Sequence, residues 1–363
     1  ASAPAFLRNN RKAALLCFFG AGPVQISERF SRILPAVARR SNRKKRRRYN
    51  VLKYSIKRLL RSLLTLVILI AVIFALLRFM PEEGYFNNYE KLSPAQIKVG
   101  LEKMGLNDPL YIQLKDFFAR LLQGDLGASS RYSVGVPITQ IIAAKAPISI
   151  RMGLLSMALS MALGLPLGAA MARSKSKFWD KFGTAFIVLV NAVPAAVYHI
   201  YIQSYGSQLL GVSMLFEESN WVSWILPVFS MSLGNIAYYA MWLRRYMLDE
   251  LNKDYVRLAR AKGVGTKQIT ARHVFRNAFV PMIQYIPTSL LFTVGGSIYI
   301  ESLYSIPGMG GLLVDVISRQ DNPMVQAIVM IYSCIGIVGM LLGDLLMARI
   351  DPRISLQKKE GAR

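Results

Sequence analysis

The sequence predicts an all-α membrane protein with six transmembrane helices. Of its 363 residues, 53% are hydrophobic, yet the net charge is +25. Apolar runs of about 20 residues, enough for a helix to cross a hydrocarbon core about 30 Å thick, recur along the chain. The runs are continuous and do not alternate as strands do, which favours a helical bundle over a closed barrel. The predicted spans are Ile56–Phe79, Ile148–Ala172, Phe182–Ile202, Trp221–Leu243, Pro281–Ile300 and Val325–Met347.

Lysine and arginine predict which ends of these spans face the cytoplasm. Both types of side chain are frequent before the first span, after the second, between the fourth and fifth, and after the sixth. The alternate links differ, because residues 204–220 contain no base and residues 303–322 contain only Arg319. Cytoplasmic loops of membrane proteins carry the excess of basic residues. Both termini are therefore predicted to be cytoplasmic.

The chain divides into five predicted regions, which are residues 1–52, a basic cytoplasmic extension; 53–80, the first transmembrane helix; 81–147, an external helical loop; 148–350, a five-helix core with a cytoplasmic loop over 247–280; and 351–363, a cytoplasmic tail. The composition of residues 1–50 fits a targeting peptide, an interfacial segment or a disordered basic tail. The basic run Arg43–Arg48 has the charge of a nucleic-acid-binding segment. Because it lies beside a membrane span, we interpret it as a positive-inside anchor and predict no nucleic-acid partner.

The two cysteines, Cys17 and Cys334, predict neither a disulfide nor a metal site.

Two short amphipathic helices are predicted in the external loop. Ser93 and Gln96 have the spacing of a capping box, and Gly105 is placed to end that helix. The second helix has Asp108 as its predicted N-cap, a proline at its first position and Gly124 as its end. The loop is either a lid that packs on the bundle or a docking surface for an external partner.

Glycines and polar residues inside the spans indicate where helices meet. Gly164 with Gly168, and Gly339 with Gly343, have the small-residue spacing that permits close helix contact. A polar side chain at membrane depth costs free energy unless it faces the bundle interior or a wet path. The candidate pathway residues are Asn191, His199, Asn235 and Gln284. For each of them, a structural hydrogen bond is the alternative to a substrate contact.

No sequence motif for covalent chemistry is present. Phosphate-binding loops, nucleophile elbows and H-E-x-x-H motifs are missing from the sequence, and its two histidines leave few candidates for acid–base catalysis. We therefore predict a protein that is not an enzyme and has no cofactor. A membrane-embedded enzyme is the alternative, and its only nearby acidic candidates, which lack a base partner, are Glu301, Asp315 and Asp321.

A basic segment between the fourth and fifth spans, "DYVRLARAKGVGTKQITARHVFRNAFVP", runs from Asp254 to Pro281. Its pattern predicts a helix over Asp254–Lys262, a glycine turn, and a second helix over Thr266–Phe279. Gly263 is predicted to end the first helix in a left-handed conformation. Its basic side chains either lie on anionic headgroups or belong to a rigid knob that another protein holds.

This segment resembles the cytoplasmic EAA loop of ABC importer permeases, in the form found in the oligopeptide/dipeptide/nickel family. Arg257 and Leu258 replace the Glu and the first Ala of the general motif, whereas Ala259 and Gly263 match it. The distance to Pro281 is longer than in the general pattern and fits the peptide subfamily.

Other stretches extend the resemblance over roughly residues 53–356. "GLNDPLYIQ" and "GDLGAS" (Gly124–Ser129) look like the external loop of the family's first permease subunit. "ESLYSIPGMGGLL" (Glu301–Leu313) and "DPRIS" (Asp351–Ser355) look like its C-terminal signatures. The motifs also occur in the family's order.

The resemblance implies a type I-like permease bundle in the bacterial cytoplasmic membrane. Such a subunit forms half of a pore with a second homologous permease, and is served by two cytoplasmic ATP-binding subunits and an extracytoplasmic solute-binding protein. Peptides are the implied substrate, with nickel chelates, haem and glutathione as alternatives. Residues 148–350 would be the permease core and 247–280 its coupling loop. The implied ATPase-coupling residues are Asp254, Tyr255, Arg257, Ala259, Arg260, Ala261, Lys262 and Gly263.

Glu301 lies at the external end of the fifth span, where a carboxylate is costly unless it is paired or hydrogen-bonded. Pro307, Gly308 and Gly310 follow it and allow the backbone to turn back sharply. We therefore predict a short re-entrant scoop near the translocation path, in which backbone N–H groups donate to the Glu301 carboxylate. The alternative is that Glu301 simply faces lipid headgroups.

Overall fold

The computed structural model describes residues 55–295 and 297–350. These residues are mostly helical, and their only β-pairing is an isolated bridge between Ala128 and Pro137, so the all-α prediction is confirmed. The predicted extension (1–52) and tail (351–363), with the "DPRIS" signature, lie outside the described residues. The helices are α1 Ser55–Leu77, α2 Pro94–Lys103, α3 Leu110–Leu122, α4 Ile138–Arg173, α5 Phe178–Ala192, α6 Ala195–Leu210, α7 Ile225–Leu251, α8 Asp254–Ala261, α9 Thr266–Phe279, α10 Met282–Val294, α11 Ile298–Leu303, α12 Met309–Ser318 and α13 Asn322–Ile350.

Three predicted spans are single helices that are long and apolar enough to cross a membrane, namely α1, α4 and α13. The second span was predicted to begin at Ile148, but α4 begins at Ile138, so the end of the predicted loop 81–147 is helical. Pro147 and Pro166 both lie inside α4 without ending it. Neighbouring groups can satisfy the carbonyl that such a proline leaves without a donor.

Two predicted spans are not continuous helices. The span Phe182–Ile202 is the pair α5 and α6, which meet at an angle of 106°. Pro194 causes this break, because the residue before a proline is driven away from helical angles, and Val193 has an extended ψ of 130°. The span Pro281–Ile300 is likewise divided, since α10 ends with Gly295 as its C-cap and α11 begins after Ser297, whose hydroxyl accepts a hydrogen bond from the helix.

The remaining predicted span, Trp221–Leu243, corresponds to a 3-10 turn, Trp221–Trp224, followed by α7. At 27 residues α7 is long enough to cross a membrane, but polar side chains such as Asn235 make it less apolar than α1, α4 and α13. By length and composition, the described residues contain three candidate spans, or up to five if two bent pairs each count as one span, namely α5 with α6 and α9 with the segment Met282–Leu303.

Glycine pairs bring the long helices into close contact, as predicted. A Cβ added to Gly168 of α4 would lie 2.6 Å from the carbonyl oxygen of Ala240 in α7. A Cβ added to Gly339 of α13 would lie 3.1 Å from the Cα of Thr288 in α10. Both distances are too short for an ordinary side-chain contact, so small residues are needed for these backbones to approach.

The helix α2 has the predicted capping box. The N–H of Gln96 donates to the hydroxyl of Ser93 (3.3 Å), and the N–H of Ser93 donates to the side-chain oxygen of Gln96 (2.8 Å). Gly105 follows the helix with a φ of +66°, which confirms its predicted role at the helix end.

The helix α3 begins one residue later than predicted. Pro109, and not Asp108, is its N-cap, with an extended ψ of 143°. The carbonyl of Asp108 instead accepts a hydrogen bond from the side chain of Gln113 at 2.6 Å, which fixes the entry to the helix. Gly124 follows the helix with a φ of +76°, as expected for a residue beyond a helix C-terminus.

Candidate functional site

The first helix of the basic segment is α8, within one residue of the prediction. Lys262 is its C-cap, and Gly263 follows with the predicted left-handed conformation at a φ of +77°. The N–H of Gly263 donates to the carbonyl of Arg260 (2.9 Å), and the N–H of Val264 donates to that of Ala259 (3.1 Å). This pair of bonds is a Schellman motif, so the end of α8 is fixed by its own backbone.

One face of α8 is anchored in the protein core. Val256 is fully buried and packs in one cluster with Met247 of α7 and Ile269 and Val274 of α9. Tyr255 and Ala259 are partly buried against the same cluster. Because the packed side chains come from three helices, α8 is attached as a rigid unit to the adjoining ends of α7 and α9.

Glu250 at the end of α7 fixes the turn into α8. Its carboxylate accepts hydrogen bonds from the ammonium of Lys253 (2.5 Å) and the hydroxyl of Tyr255 (2.6 Å). The pairing of Arg257 with Asp254 at 3.7 Å is different, because both side chains are exposed and such a pair contributes little.

The other face of α8 is open. Leu258, a large apolar side chain, is 57% exposed on this face. The exposed residues around it are Asp254, Arg257, Arg260, Ala261, Lys262 and Gly263. This face is therefore a small basic surface with one apolar side chain at its centre, which is suited to a protein partner that supplies acids and an apolar pocket.

The helix α9 contains a π-helical turn, Thr270–Val274. Ile269 before the turn, Val274 at its end and Ala278 after it are all buried in the cluster that holds α8. Turns of this kind inside α-helices are frequent at functional sites.

Glu301 in α11 is fully buried and its carboxylate is hydrogen-bonded by three donors. One oxygen accepts from the hydroxyl of Ser149 in α4 at 2.8 Å. The other accepts from the N–H groups of Gly310 (2.6 Å) and Gly311 (3.2 Å) at the start of α12. The prediction of backbone donors to Glu301 is confirmed, and the alternative of an acid facing headgroups is wrong.

The glycines of this turn leave the space that the carboxylate occupies. A Cβ added to Gly308 would overlap both the Glu301 carboxylate and the Ser149 hydroxyl. A Cβ added to Gly310 would lie 2.7 Å from the backbone nitrogen of Ile298. The turn, which also contains the exposed Pro307, therefore packs directly on α11. Its nearness to a translocation path stays a prediction.

Two of the four candidate pathway residues have structural hydrogen bonds. The side chain of Asn191 donates to the carbonyl of Ile187 in its own helix α5 at 2.8 Å. The side chain of Gln284 in α10 donates to Asp344 in α13 at 3.1 Å, and Asp344 also pairs with Arg58 of α1. For these two residues the structure supports the structural alternative.

The side chains of the other two pathway candidates form no hydrogen bond to another described residue. His199 in α6 is only 8% exposed, and its Nδ1 has no hydrogen-bond partner among the described residues. Its ring lies between those of Tyr198 and Tyr299, with centroids 4.4 and 5.9 Å away. Asn235 is half-buried in α7. Within the described ranges, no hydrogen bond joins any two of the four candidates, so the structure does not show a single polar site made from them.

Sequence reasoning did not find the role of Asp321, which precedes α13. Its carboxylate accepts from the Ser129 hydroxyl (2.6 Å), the N–H groups of Arg131 (3.0 Å) and Tyr132 (2.9 Å), and the N–H of Met324 (3.2 Å). Burial opposes ionisation, but these hydrogen bonds outweigh it and lower the pKa of the Asp321 carboxyl. Asp321 thus joins the segment after α3 to α13. An acid just before an apolar helix is an N-cap signal, so the sequence could have indicated the bond from the Met324 N–H but not the bonds from the segment after α3.

An ion pair between α5 and α7 was also missed. Asp180 accepts from the guanidinium of Arg244 at 2.5 and 3.0 Å, and from the N–H of Ser176 at 2.8 Å. The pair therefore joins the link between α4 and α5 to the part of α7 that leads to α8.

Comparison with known proteins identifies the class. Residues 164–356 match the family described as the binding-protein-dependent transport system inner membrane component, and residues 51–137 match its N-terminal companion family. The chain belongs to this family of transport permeases, and the resemblance to ABC importer permeases of the peptide group is confirmed.

Several curated relatives are similar along almost their whole length. The dipeptide transport system permease protein DppB of Lactococcus lactis subsp. cremoris is 33% identical over 310 residues, which covers 84% of this chain and 100% of that protein. The glutathione transport system permease protein GsiC of Pectobacterium atrosepticum is 32% identical (84% and 99% covered). The oligopeptide transport system permease protein OppB of Haemophilus influenzae is 31% identical (84% and 99% covered). A structure of the MetNI methionine ABC transporter matches 59% of this chain and 97% of its own, with a TM-score of 0.47 and 14% identity.

Proposed function

We propose that this chain is one of two permease subunits of an ATP-driven importer for peptides in a bacterial cytoplasmic membrane. Its family is that of binding-protein-dependent transport permeases, and relatives of nearly full length carry dipeptide and oligopeptide transport in their names. The observation that carries the proposal is α8, a capped helix with one face fixed in the core and the other open to a partner.

In the proposed mechanism, α8 is the coupling helix and seats in a groove of a cytoplasmic ATPase. ATP binding closes the pair of ATPases and moves α8. Because Val256 is packed against Met247 of α7 and Ile269 of α9, that movement carries the ends of both helices with it. The bundle then switches between inward-facing and outward-facing states by a rigid-body change.

The remaining partners follow from the same proposal. A second homologous permease completes the pore, and a solute-binding protein docks outside, where the segment 81–137 would receive it. Both termini would be cytoplasmic, as the distribution of lysine and arginine predicts. The chain itself would be non-catalytic, with ATP hydrolysis in the partner subunits. Glu301 and Asp321, two of the acids that an embedded enzyme would need, are already used in hydrogen bonds.

Glutathione is the second candidate substrate, because the GsiC permeases are relatives of similar length and identity. Glutathione is itself a short peptide with two carboxylates, so it shares most of its backbone chemistry with the first candidate. Uptake of a labelled dipeptide and of labelled glutathione by the same reconstituted complex separates the two substrates.

A cross-linking experiment tests the role of α8. Leu258→Cys places a thiol at the centre of its open face, and Val99→Cys, 49% exposed on α2, is the control at the other predicted side of the membrane. With Cys17 and Cys334 replaced, we expect Leu258→Cys to cross-link to the ATPase and Val99→Cys not to do so. Equal cross-linking at both positions, or none at Leu258→Cys in a complex that transports peptide, would contradict the assignment.

A further inference from the structure

A cavity of about 540 Å³ lies where the end of α1, the helix α3 and the start of α13 meet. Its volume falls in the range of roughly 300–1,000 Å³ that is usual for small-ligand sites. The walls combine aromatic rings with charged groups of both signs. The residues that matter for its chemistry are Phe74 and Arg78 of α1, Asp116, Phe117 and Arg120 of α3, and Met330 of α13.

The charged groups of the cavity have no ionic partners. Among the described residues, Arg78, Asp116, Arg120 and Asp125, which all line the cavity, form no ion pair, although Asp116 and Arg120 are four residues apart on one helix. The carboxylate of Asp125 accepts a hydrogen bond from the N–H of Gly127 at 2.8 Å, so Asp116 is the carboxylate left for a ligand. Arg78 is instead held by aromatic groups, with its guanidinium 5.7 Å from the Phe74 ring and 5.5 Å from the Tyr85 ring. A ligand that carries both a negative and a positive group would complement this wall.

The apolar part of the cavity lies beside these charges. The rings of Phe74 and Phe117 are in contact, with centroids 4.9 Å apart, and the buried Met330 lines the same cavity. A cavity lined by both charged and apolar groups matches an amphiphile, which has a charged headgroup and an apolar chain.

The cavity lies at the end of α1, a helix whose apolar side chains are mostly exposed. In the apolar stretch of α1 only 11% of residues are buried, and Phe79 just beyond it is 87% exposed. Leu122 at the end of α3 is 88% exposed. Large apolar side chains of this kind at a helix end are typical of the membrane interface, where headgroups and the first carbons of the chains are found.

We propose that this cavity binds one phospholipid with a primary-amine headgroup, phosphatidylethanolamine. Arg78 and Arg120 would hold its phosphate, since guanidinium groups bind phosphate through paired hydrogen bonds. Asp116 would hold its ammonium, and Phe74 and Phe117 would lie along one acyl chain. The bound lipid would join α1, α3 and α13 at this end of the bundle, whatever substrate the protein transports.

Native mass spectrometry of the full-length chain, with lipids added back one at a time, tests the proposal. Phosphatidylethanolamine should be retained above phosphatidylcholine, whose methylated amine cannot donate to Asp116, and above phosphatidylglycerol, which has no cation. Arg120→Gln should lower the apparent affinity for phosphatidylethanolamine roughly two- to fivefold, the usual size for an exposed charge pair. Asp116→Asn should remove the preference over phosphatidylcholine.

Two charge-matched variants outside the cavity serve as controls. Lys115→Gln is on the same helix and Asp315→Asn is exposed elsewhere, and both should retain the wild-type lipid preference. Equal retention of the three lipids, a preference for phosphatidylglycerol, or the same loss in the control variants would overturn the proposal. Retention of none of the lipids would also overturn it and would leave the cavity to a protein partner.

Discussion

Replacing Glu301 by leucine should destabilise the protein through the donors that the carboxylate leaves behind. The bonds from the Ser149 hydroxyl and the Gly310 N–H are buried, whereas that from Gly311 is partly buried. An unpaired buried donor costs about 1–3 kcal/mol, so the first two alone predict a loss of roughly 2–6 kcal/mol in the free energy of unfolding. This is a large part of the 5–15 kcal/mol that typically stabilises a folded domain.

Glu301→Gln provides the matched comparison, because it keeps the shape of the side chain. Its carbonyl oxygen can accept from both glycine N–H groups, and its amide can donate to the Ser149 hydroxyl, which already accepts from the Met309 N–H at 2.8 Å and has a second lone pair. The Ser149 O–H then loses the carboxylate as its acceptor and can turn to a carbonyl of the preceding turn of α4. The net change should therefore be about 1 kcal/mol or less.

The assay is the free energy of unfolding in lipid bicelles, followed by peptide uptake in the reconstituted complex. Glu218→Leu is the control, because Glu218 is exposed and its only ionic partner among the described residues is the equally exposed Arg151 at 3.2 Å. Its stability should stay within about 0.5 kcal/mol of the wild type. Equal stability of the leucine and glutamine variants of Glu301 would refute the reasoning, and so would an equal loss in the control.

Three further predictions concern the coupling segment and the segment between α1 and α4. Gly263→Ala should destabilise the end of α8 by about 1 kcal/mol, because its φ is +77°, and should lower the ratio of peptide uptake to ATP hydrolysis. Gly265→Ala is the control, because Gly265 has an ordinary φ of −62°. An added Cβ meets no atom within 4 Å at either position, so equal effects of the two changes would contradict the backbone argument. Asp321→Ala should expose residues 124–137 to proteolysis, and wild-type protection would count against the anchor. Because the folded pKa of this carboxyl is lowered, its stabilisation is complete above the ordinary pKa of an aspartate and is lost as pH falls through the lowered value. Deleting residues 93–123 should abolish stimulation of ATP hydrolysis by loaded binding protein and spare basal hydrolysis; undiminished stimulation would make this segment a packing element.

The sequence was sufficient where a local pattern has one physical solution. Gly263 follows an amphipathic helix and precedes a second one, and a left-handed residue is the usual way to end the first. Glu301 was predictable because a carboxylate near the membrane needs donors, and the glycines after it could bring backbone N–H groups close. In both cases the backbone groups that form these bonds lie within ten residues of each other, whereas the bond from Ser149 to Glu301 spans 152 residues and was not predicted.

Features that depend on contacts between residues far apart in the chain could not be predicted from the sequence. Pro194 breaks a predicted span, but Pro147 and Pro166 remain inside a continuous helix, and the difference depends on what packs around each proline. The contacts of Asp321 with Ser129 and Tyr132 join positions almost 200 residues apart in the chain, and no local pattern specifies such a pairing. The ATPase-coupling roles assigned to α8 stay predictions.

The π-helical turn in α9 has a consequence for how the length of this segment can change. Ile269 and Val274 are five residues apart yet both buried, and Ala278 continues the buried face four residues later. In an uninterrupted α-helix, removal of one residue rotates everything beyond it by about 100° and turns the apolar face outward. Removal of one residue within 270–273 would instead convert the wide turn into an ordinary one and leave Ile269 and Val274 on the same side. A deletion of one residue in this turn is therefore expected to keep α8 attached to the bundle, whereas the same deletion elsewhere in α9 is not.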